Sequence, residues 1–300
     1  TDSEEKIGRA IHGRRDECYL ATKTTKLLGE EAEKDLETSL KMLGTSRLDV
    51  YQLHNVSDEQ ALEKVLAPGG ALEAVKKAKA DGKIDYIGIT GHRTEILVKA
   101  VQTEEFDLIL VPLNYVETEA RTELIPLANK LDIGVVVMKP MGGGAFTDAS
   151  TALRFAFSYP VSTVVPGMVS LEEVEENVRI AETMTPLSAA ELEDLARQSA
   201  EIGRTFCRGC GYCQPCPQGI EVPFLTRINT LVKRMGFDVW YARWGTSLDK
   251  YEGCTQCRQC EEKCPYQLAV VEMMANQVDW LRKTYMDKLE KLKKVHVAEL

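Results

Sequence analysis

Eight of the nine cysteines fall into two short runs near the C-terminus, and their spacing restricts what this part of the chain can build. The first run is Cys207, Cys210, Cys213 and Cys216, followed by Pro217; the second is Cys254, Cys257, Cys260 and Cys264, followed by Pro265. A thiolate at every third residue lets one tight loop offer three sulfurs to a single iron-sulfur cubane, while the fourth cysteine, ahead of a proline, reaches a second cluster. The pattern predicts two 4Fe-4S clusters with crossed ligation. One takes Cys207, Cys210, Cys213 and Cys264; the other takes Cys254, Cys257, Cys260 and Cys216.

Two other uses of cysteine compete with this reading. Zinc sites are also built from C-x2-C pairs, but a tetrahedral zinc uses four ligands and needs neither a third cysteine in step nor a trailing proline. Disulfides need an oxidising compartment, and no signal peptide points to one. The runs are those of a dicluster ferredoxin with two departures. The first ends C-x2-C-P where the bacterial pattern has C-x3-C-P, which bears on the reach of Cys216. Cys207 and Cys254 also lie 47 residues apart, room for an inserted helical layer. Free thiolates on iron imply a reducing cytoplasm.

A chain of 300 residues is longer than such a module requires, and its length suggests about two domains. Its 44% hydrophobic content supports a sizeable core. No apolar run approaches the ~20 residues that span a bilayer, so no membrane segment is expected. A formal net charge of -9 argues against nucleic acid, whose phosphates demand a basic face.

Upstream of the cysteines, short β-branched runs alternate with helical patterns. Strands are expected at Cys18 to Thr22, Leu48 to Leu53, Tyr86 to Ile89, Leu108 to Val111, Gly134 to Met138 and Ser162 to Val165. Helices are expected at Glu30 to Met42, Gly70 to Asp81, Thr94 to Gln102, Leu124 to Lys130, Thr151 to Tyr159 and Leu171 to Glu182. An amphipathic helix opens the chain with Ser3 as its N-cap. Strict alternation means a parallel sheet covered on both faces, open or closed into a barrel, and no G-x-G-x-x-G favours the Rossmann alternative. After Thr185, Ser188 leads a polar connecting helix to Glu201. Val222 to Arg234 reads as helical, Trp240, Tyr241 and Trp244 as an aromatic cluster near the iron sites, and Leu268 to Lys294 as a long amphipathic helix. Cys18 reads as a buried strand residue. His12 and His296 read as solvated, and His92 is a further candidate for lining a site.

Ser3-Glu4-Glu5-Lys6-Ile7-Gly8, Leu20-Ala21-Thr22-Lys23 and Asp49-Val50-Tyr51-Gln52-Leu53-His54 together resemble the aldo-keto reductase family, read from its second barrel helix onward. Ile87 to His92, Met138 to Gly143, Val165 to Gly167 and Glu175 to Asn177 occupy the positions of its cofactor motifs. With the cysteine runs, the chain resembles the iron-sulfur subgroup of that family. The resemblance implies an α/β (β/α)8 TIM barrel, its first strands absent from this chain, followed by a helical dicluster ferredoxin-like domain. The expected layout is a barrel over 1–185, a connecting helix over 186–206, the cluster domain over 207–275 and a C-terminal helix over 276–300.

In such a barrel the site lies at the C-terminal ends of the strands, where Lys23 and His54 are the implied catalytic residues. The family's general acid is a tyrosine that protonates a carbonyl oxygen as nicotinamide delivers hydride; lysine, paired with an aspartate, assists it and histidine orients the substrate. That tyrosine and aspartate would precede Ser3, so the chain, starting at Thr1, is expected to lack its proton donor. Implied cofactor contacts are Thr90, Met138, Lys139, Met141, Gly167, Met168, Glu176 and Asn177. Departures accompany them: the serine and asparagine that hold the carboxamide become Thr90 and Gly91, a glutamine becomes Leu110, and the ring-stacking tyrosine becomes Met138. Gly167 and Glu173 stand where many members carry the lysine and arginine that grip the 2'-phosphate, which favours NAD slightly over NADP. The implied reaction is an NAD(P)-linked interconversion of a small-molecule carbonyl and alcohol, coupled to or braced by the clusters. The alternative is an electron-transfer or partner-docking protein with a redox partner and a degenerate barrel. Hydride moves two electrons and a cluster one, so coupling them needs a mediator such as a flavin, for which no motif is evident.

Overall fold

The computed structural model describes residues 2–203 and 205–290. The expected helix end at Lys294 and His296 lie outside the described residues. The elements run α1 (Ser3–Ala10), β1 (Ala21–Thr24), α2 (Gly29–Leu43), β2 (Leu48–Leu53), α3 (Glu59–Leu66), α4 (Ala71–Ala80), β3 (Ile84–Thr90), α5 (Thr94–Val101), β4 (Leu108–Pro112) and α6 (Leu124–Lys130). They continue with β5 (Gly134–Met138), α7 (Ala149–Phe157), β6 (Thr163–Val165), α8 (Leu171–Glu182), α9 (Ala189–Ile202), α10 (Val222–Leu225), α11 (Ile228–Met235), α12 (Phe237–Tyr251), α13 (Gln259–Glu262) and α14 (Val270–Thr284). Chain contacts divide the molecule into two units. One holds the residues up to Pro140 with Ala152–Pro166; the other holds Met141–Thr151 and the residues from Gly167 onward. No helix among the described residues is long and apolar enough to cross a membrane.

The first unit is a six-stranded, all-parallel sheet in sequential order β1 to β6, the half-barrel arrangement that repeated βα units produce. Alternation assigns its faces. Tyr51, Leu53, Ile87, Ile89, Ile109, Val111, Val135, Val137 and Val164 share one face and are all buried. Leu36 and Leu40 of α2, Val75 of α4 and Leu97 of α5 belong to the same core. The opposite set carries Lys23, Gln52, His54, Gly88, Thr90 and Met138. Its register runs from Lys23 to Gln52 to Gly88, then from Thr90 to Leu110 to Val136.

Several boundaries differ from expectation. The N-cap of α1 is Asp2, whose carboxylate pairs with Lys6 at 2.8 Å, and Ser3 is the first helical residue. Strand β1 begins at Ala21, and Cys18 is exposed ahead of it. The chain enters the sheet only after Asp49 accepts the Leu20 N–H at 2.7 Å, which leaves Cys18 in the preceding bend. Asp49 also accepts Arg15 at 2.7 Å. Burial acts to raise the Asp49 pKa, but the Leu20 N–H and the Arg15 and Arg47 guanidiniums outweigh it and hold the carboxyl below its usual range. Helix α3 was not expected; its N-cap Asp58 accepts the Ala61 N–H at 2.8 Å.

The second unit is helical. Helix α9 starts in a capping box in which the Ser188 hydroxyl accepts the Glu191 N–H and Glu191 accepts the Ser188 N–H. Instead of one helix over Val222 to Arg234 there are two, α10 and α11, separated at Arg227, whose backbone leaves the helical range at φ -131° and ψ 24°. Its core gathers Ile220, Leu225, Ile228, Trp240, Met274 and Leu281, and six of the eight clustered cysteines pack against it. Trp240 is wholly buried there, and Trp244 stacks on Phe224 with ring centroids 4.3 Å apart.

Candidate functional site

At the C-terminal end of β2, His54 follows the last strand residue, and its Nδ1 lies 2.9 Å from the Thr90 Oγ1 at the end of β3. The Asn55 N–H donates to the same hydroxyl at 2.9 Å. The Thr90 hydroxyl keeps a second lone pair and its own hydrogen, so it either accepts from or donates to Nδ1 according to the imidazole tautomer; where it donates, Nε2 of the neutral ring carries the N–H. Burial lowers the His54 pKa, and the Lys23 ammonium pushes the same way. Desolvation by the surrounding chain also lowers that of Lys23. Lys23 sits one strand away on the same face, in register with Gln52.

Stability should therefore depend on His54 below neutrality. Unfolded, the group takes up a proton near its ordinary 6.5; folded, it resists until lower pH, so stability rises with pH across the window just below 6.5. Urea melts between pH 5 and pH 7 should show that slope, partly flattened in His54→Gln. An identical slope in the variant would remove His54 as its source.

Among the expected cofactor contacts, Thr90, Met138 and Lys139 lie in the first unit, and Met141, Gly167, Met168, Glu176 and Asn177 in the second. Lys139 takes a left-handed backbone, φ 56°, and its Nζ lies 3.5 Å from His92 Nε2. The residue that holds this turn, Asn114, was missed in the sequence. It is fully buried; its Nδ2 donates to the Lys139 carbonyl at 3.0 Å and to Glu117 at 2.9 Å, and its Oδ1 accepts the Val116 and Glu117 N–H groups. An asparagine just past a strand is the available signal for such a turn.

In the second unit Gly142, Gly143 and Gly144 all take positive φ, at 56°, 67° and 96°. Arg234 of α11 donates to the Gly143 carbonyl at 3.5 Å. Its Nη2 stands 2.4 Å from where a Cβ on Gly167 would be. Sequence reasoning had no access to this arginine, because nothing local links α11 to a loop 91 residues earlier. Glu173, half-buried at the start of α8, accepts the Val169 N–H at 2.7 Å. Glu176 is exposed and Asn177 partly buried on the same helix. His12 is exposed.

The cysteines surround two separate cavities. Cys207, Cys210, Cys213 and Cys264 line one, with Pro265 and Tyr266. Cys216, Cys254, Cys257 and Cys260 line the other, with Pro217. Each holds three cysteines of one run and the fourth of the other. A zinc bound by four thiolates draws their sulfurs to about 3.8 Å of one another, given Zn–S bonds of ~2.3 Å. Among the described residues no group of three or more His, Cys, Asp or Glu side chains converges in that way. The four cysteines that line each cavity supply the ligand number that a 4Fe-4S core takes. Burial, then the neighbouring Cys207 and Cys210, push the Cys213 thiol up to about 12, and burial raises that of Cys260. Iron charge offsets this cost when it binds the thiolates.

Comparison with known proteins agrees with both halves. The profile of the aldo/keto reductase family matches residues 1–152, and that of a 4Fe-4S dicluster domain matches residues 206–269. An NADP(+) aldo-keto reductase of Schizosaccharomyces pombe is 32% identical over 164 residues, 49% of this chain and 46% of its own. A D-threo-aldose 1-dehydrogenase of a Pseudomonas species is 28% identical over 123 residues, 40% of this chain and 36% of its own. The chain thus spans less than half the length of these curated relatives. Among solved structures, an aldo-keto reductase of Bacillus halodurans superposes with TM-score 0.54 at 24% identity, covering 65% of this chain and 76% of that one. One from Klebsiella pneumoniae, in complex with NADP and acetate, gives 0.53 at 23%, covering 65% and 75%. These likenesses show the fold. The match over half of the chain, in the order of strands and helices described above, makes this protein a member of the aldo/keto reductase family, with a 4Fe-4S dicluster domain following it in the sequence.

Proposed function

We propose that the protein is an NAD(P)-linked oxidoreductase that interconverts a small-molecule carbonyl and its alcohol and holds two 4Fe-4S clusters by crossed ligation. The observation that carries the first part is the pairing of His54 with Thr90 on the open face that also bears Lys23. There the His54 imidazole N–H and the Lys23 ammonium are groups suited to orienting a carbonyl oxygen, while the proton itself falls to the family's tyrosine. A bound nicotinamide would supply the hydride. Within the second unit, the left-handed glycines 142–144 present backbone without side chains and Arg234 brings a cation to Gly167, a combination suited to a phosphate group. Reduced, iron-ligating cysteines fit the cytoplasm.

Calorimetric titration of NADH and NADPH into the cluster-loaded protein tests this reading. NADH is expected to bind at least as tightly as NADPH, because the additional phosphate meets the Glu173 carboxylate, a cost of about 1 kcal/mol near the surface. Glu173→Arg should reverse the order, and Arg234→Gln should weaken both cofactors. A clear wild-type preference for NADPH defeats the Glu173 assignment. Binding of neither promotes the second reading, an electron-transfer or docking protein, which Met138 and Leu110 favour because they replace a stacking ring and an amide.

A further inference from the structure

The two cysteine cavities differ in the charge built around them. Arg208 lies between Cys207 and Cys210 and lines their cavity. It is only 7% exposed. Its guanidinium sits 3.9 Å over the Tyr266 ring, and Nη1 donates to the Phe206 carbonyl at 3.0 Å and the Gly203 carbonyl at 3.3 Å. A second arginine, Arg227, approaches the same loop from α11's N-cap. Its guanidinium carbon lies 2.4 Å from where a Cβ on Gly209 would be, so only glycine admits it, and its Nε donates to the Pro223 carbonyl at 3.0 Å. Arg227 is half-buried and borders the first cavity from outside its lining; the second cavity has no buried arginine in its lining, and the cations near its loops, Lys263 on the Pro215 carbonyl at 2.9 Å and Lys250 beside Gly219, are exposed. Its arginine, Arg258, has a side chain 70% exposed and is paired with Glu261 at 3.0 Å. Glu261 is itself mostly buried and adjoins Cys260.

Reducing a cluster adds one negative charge, and a cation held in a water-excluded site stabilises that charge far more than one in solvent does. Arginine keeps its proton, so the compensation cannot be lost by titration. We infer that Arg208 and Arg227 poise the site of Cys207, Cys210, Cys213 and Cys264 at the higher reduction potential, so that a single electron on the domain rests there. With both clusters bound, Cys254, Cys257, Cys260 and Cys216 would hold the core that gives up one electron and Cys207, Cys210, Cys213 and Cys264 the core that takes it up, with no proton moved. Entry from a one-electron donor then runs through the second loop, whose Cys257 is exposed. The electron ends beside the loop that Arg227 shares with Gly143, whose Cβ position lies 3.7 Å from Nη1.

The inference rests on the two-cluster reading, and the test separates them. Iron and acid-labile sulfide are first counted in anaerobic full-chain protein; fewer than two clusters rejects that reading alone. Both potentials are then measured by spin resonance during titration with dithionite and mediators. Arg208→Met should lower the higher potential by at least tenfold in the electron-exchange constant, 59 mV for one electron, and leave the lower one in place. Arg208→Lys should keep it near wild type, and Arg258→Gln should leave the higher potential unchanged. Should Arg208→Met fail to load iron, Arg227→Gln carries the same expectation. Two clusters whose higher potential ignores both substitutions, or a shift confined to the lower one, overturn the proposal.

Discussion

Replacing Cys216 by alanine should halve the iron of anaerobically purified protein, from about eight atoms per chain to about four, because each cubane takes four cysteines and four irons. The cavities predict which half is lost. Cys216 lines the space shared with Cys254, Cys257 and Cys260, not that of its own run. The pair Cys216→Ala and Cys254→Ala should therefore lose no more iron than the single change, whereas Cys216→Ala with Cys207→Ala should lose nearly all of it. The reverse outcome means that each run serves its own cluster. Zinc in place of iron rejects the cluster assignment altogether. The short C-x2-C-P spacing that questioned the reach of Cys216 is accommodated by the turn itself: the Gln214 side chain accepts the Cys216 N–H at 2.9 Å and donates to the Ile220 carbonyl at 2.9 Å.

Truncating Trp240 should be the most damaging single change in the second unit. The side chain is wholly enclosed at the centre of the core on which the cysteines pack. Trp240→Ala leaves a cavity larger than neighbouring helices can close, at a cost of about 3–5 kcal/mol. Trp240→Phe should cost much less, since it keeps most of the ring volume and removes an indole N–H that has no partner. Bleaching of the cluster absorbance during thermal melting reports both variants. Equal losses for Ala and Phe would mean that the indole's polar edge matters more than its volume.

Much of this architecture was legible from local pattern. Strands Leu48–Leu53 and Gly134–Met138 and helices Leu124–Lys130 and Leu171–Glu182 lie where apolar periodicity put them. That succeeds because each of these segments has a single strong period and a clear stop. Helix α3 was missed although Asp58 marks its start, since a helix of 8 residues gives the period little length in which to show. The strand expected from Cys18 was misplaced because β-branched and aromatic composition does not say where pairing begins; the buried Asp49 carboxylate decided that from another strand. The single helix expected over Val222 to Arg234 broke at Arg227, whose backbone is non-helical and whose Nε donates to the Pro223 carbonyl, a local turn that apolar periodicity does not report.

By itself, the sequence determined the alternation of strand and helix, the family, and the grouping of cysteines into two sets of four. Periodicity and spacing carry that information because neighbours along the chain set local geometry. Only the tertiary structure decided which side chains stand beside those groups. Thr90 reaches His54 across 36 residues, Asn114 reaches Lys139 across 25, and Arg234 reaches Gly143 across 91. Thr90 lies in a recognisable motif and Asn114 follows a strand, but the partner that each of the three reaches is set by packing and not by local pattern. The same holds for Arg208: an arginine in a loop is ordinary until packing withdraws it from water, and its charge then acts more strongly on the site it borders, with the half-buried Arg227 beside it.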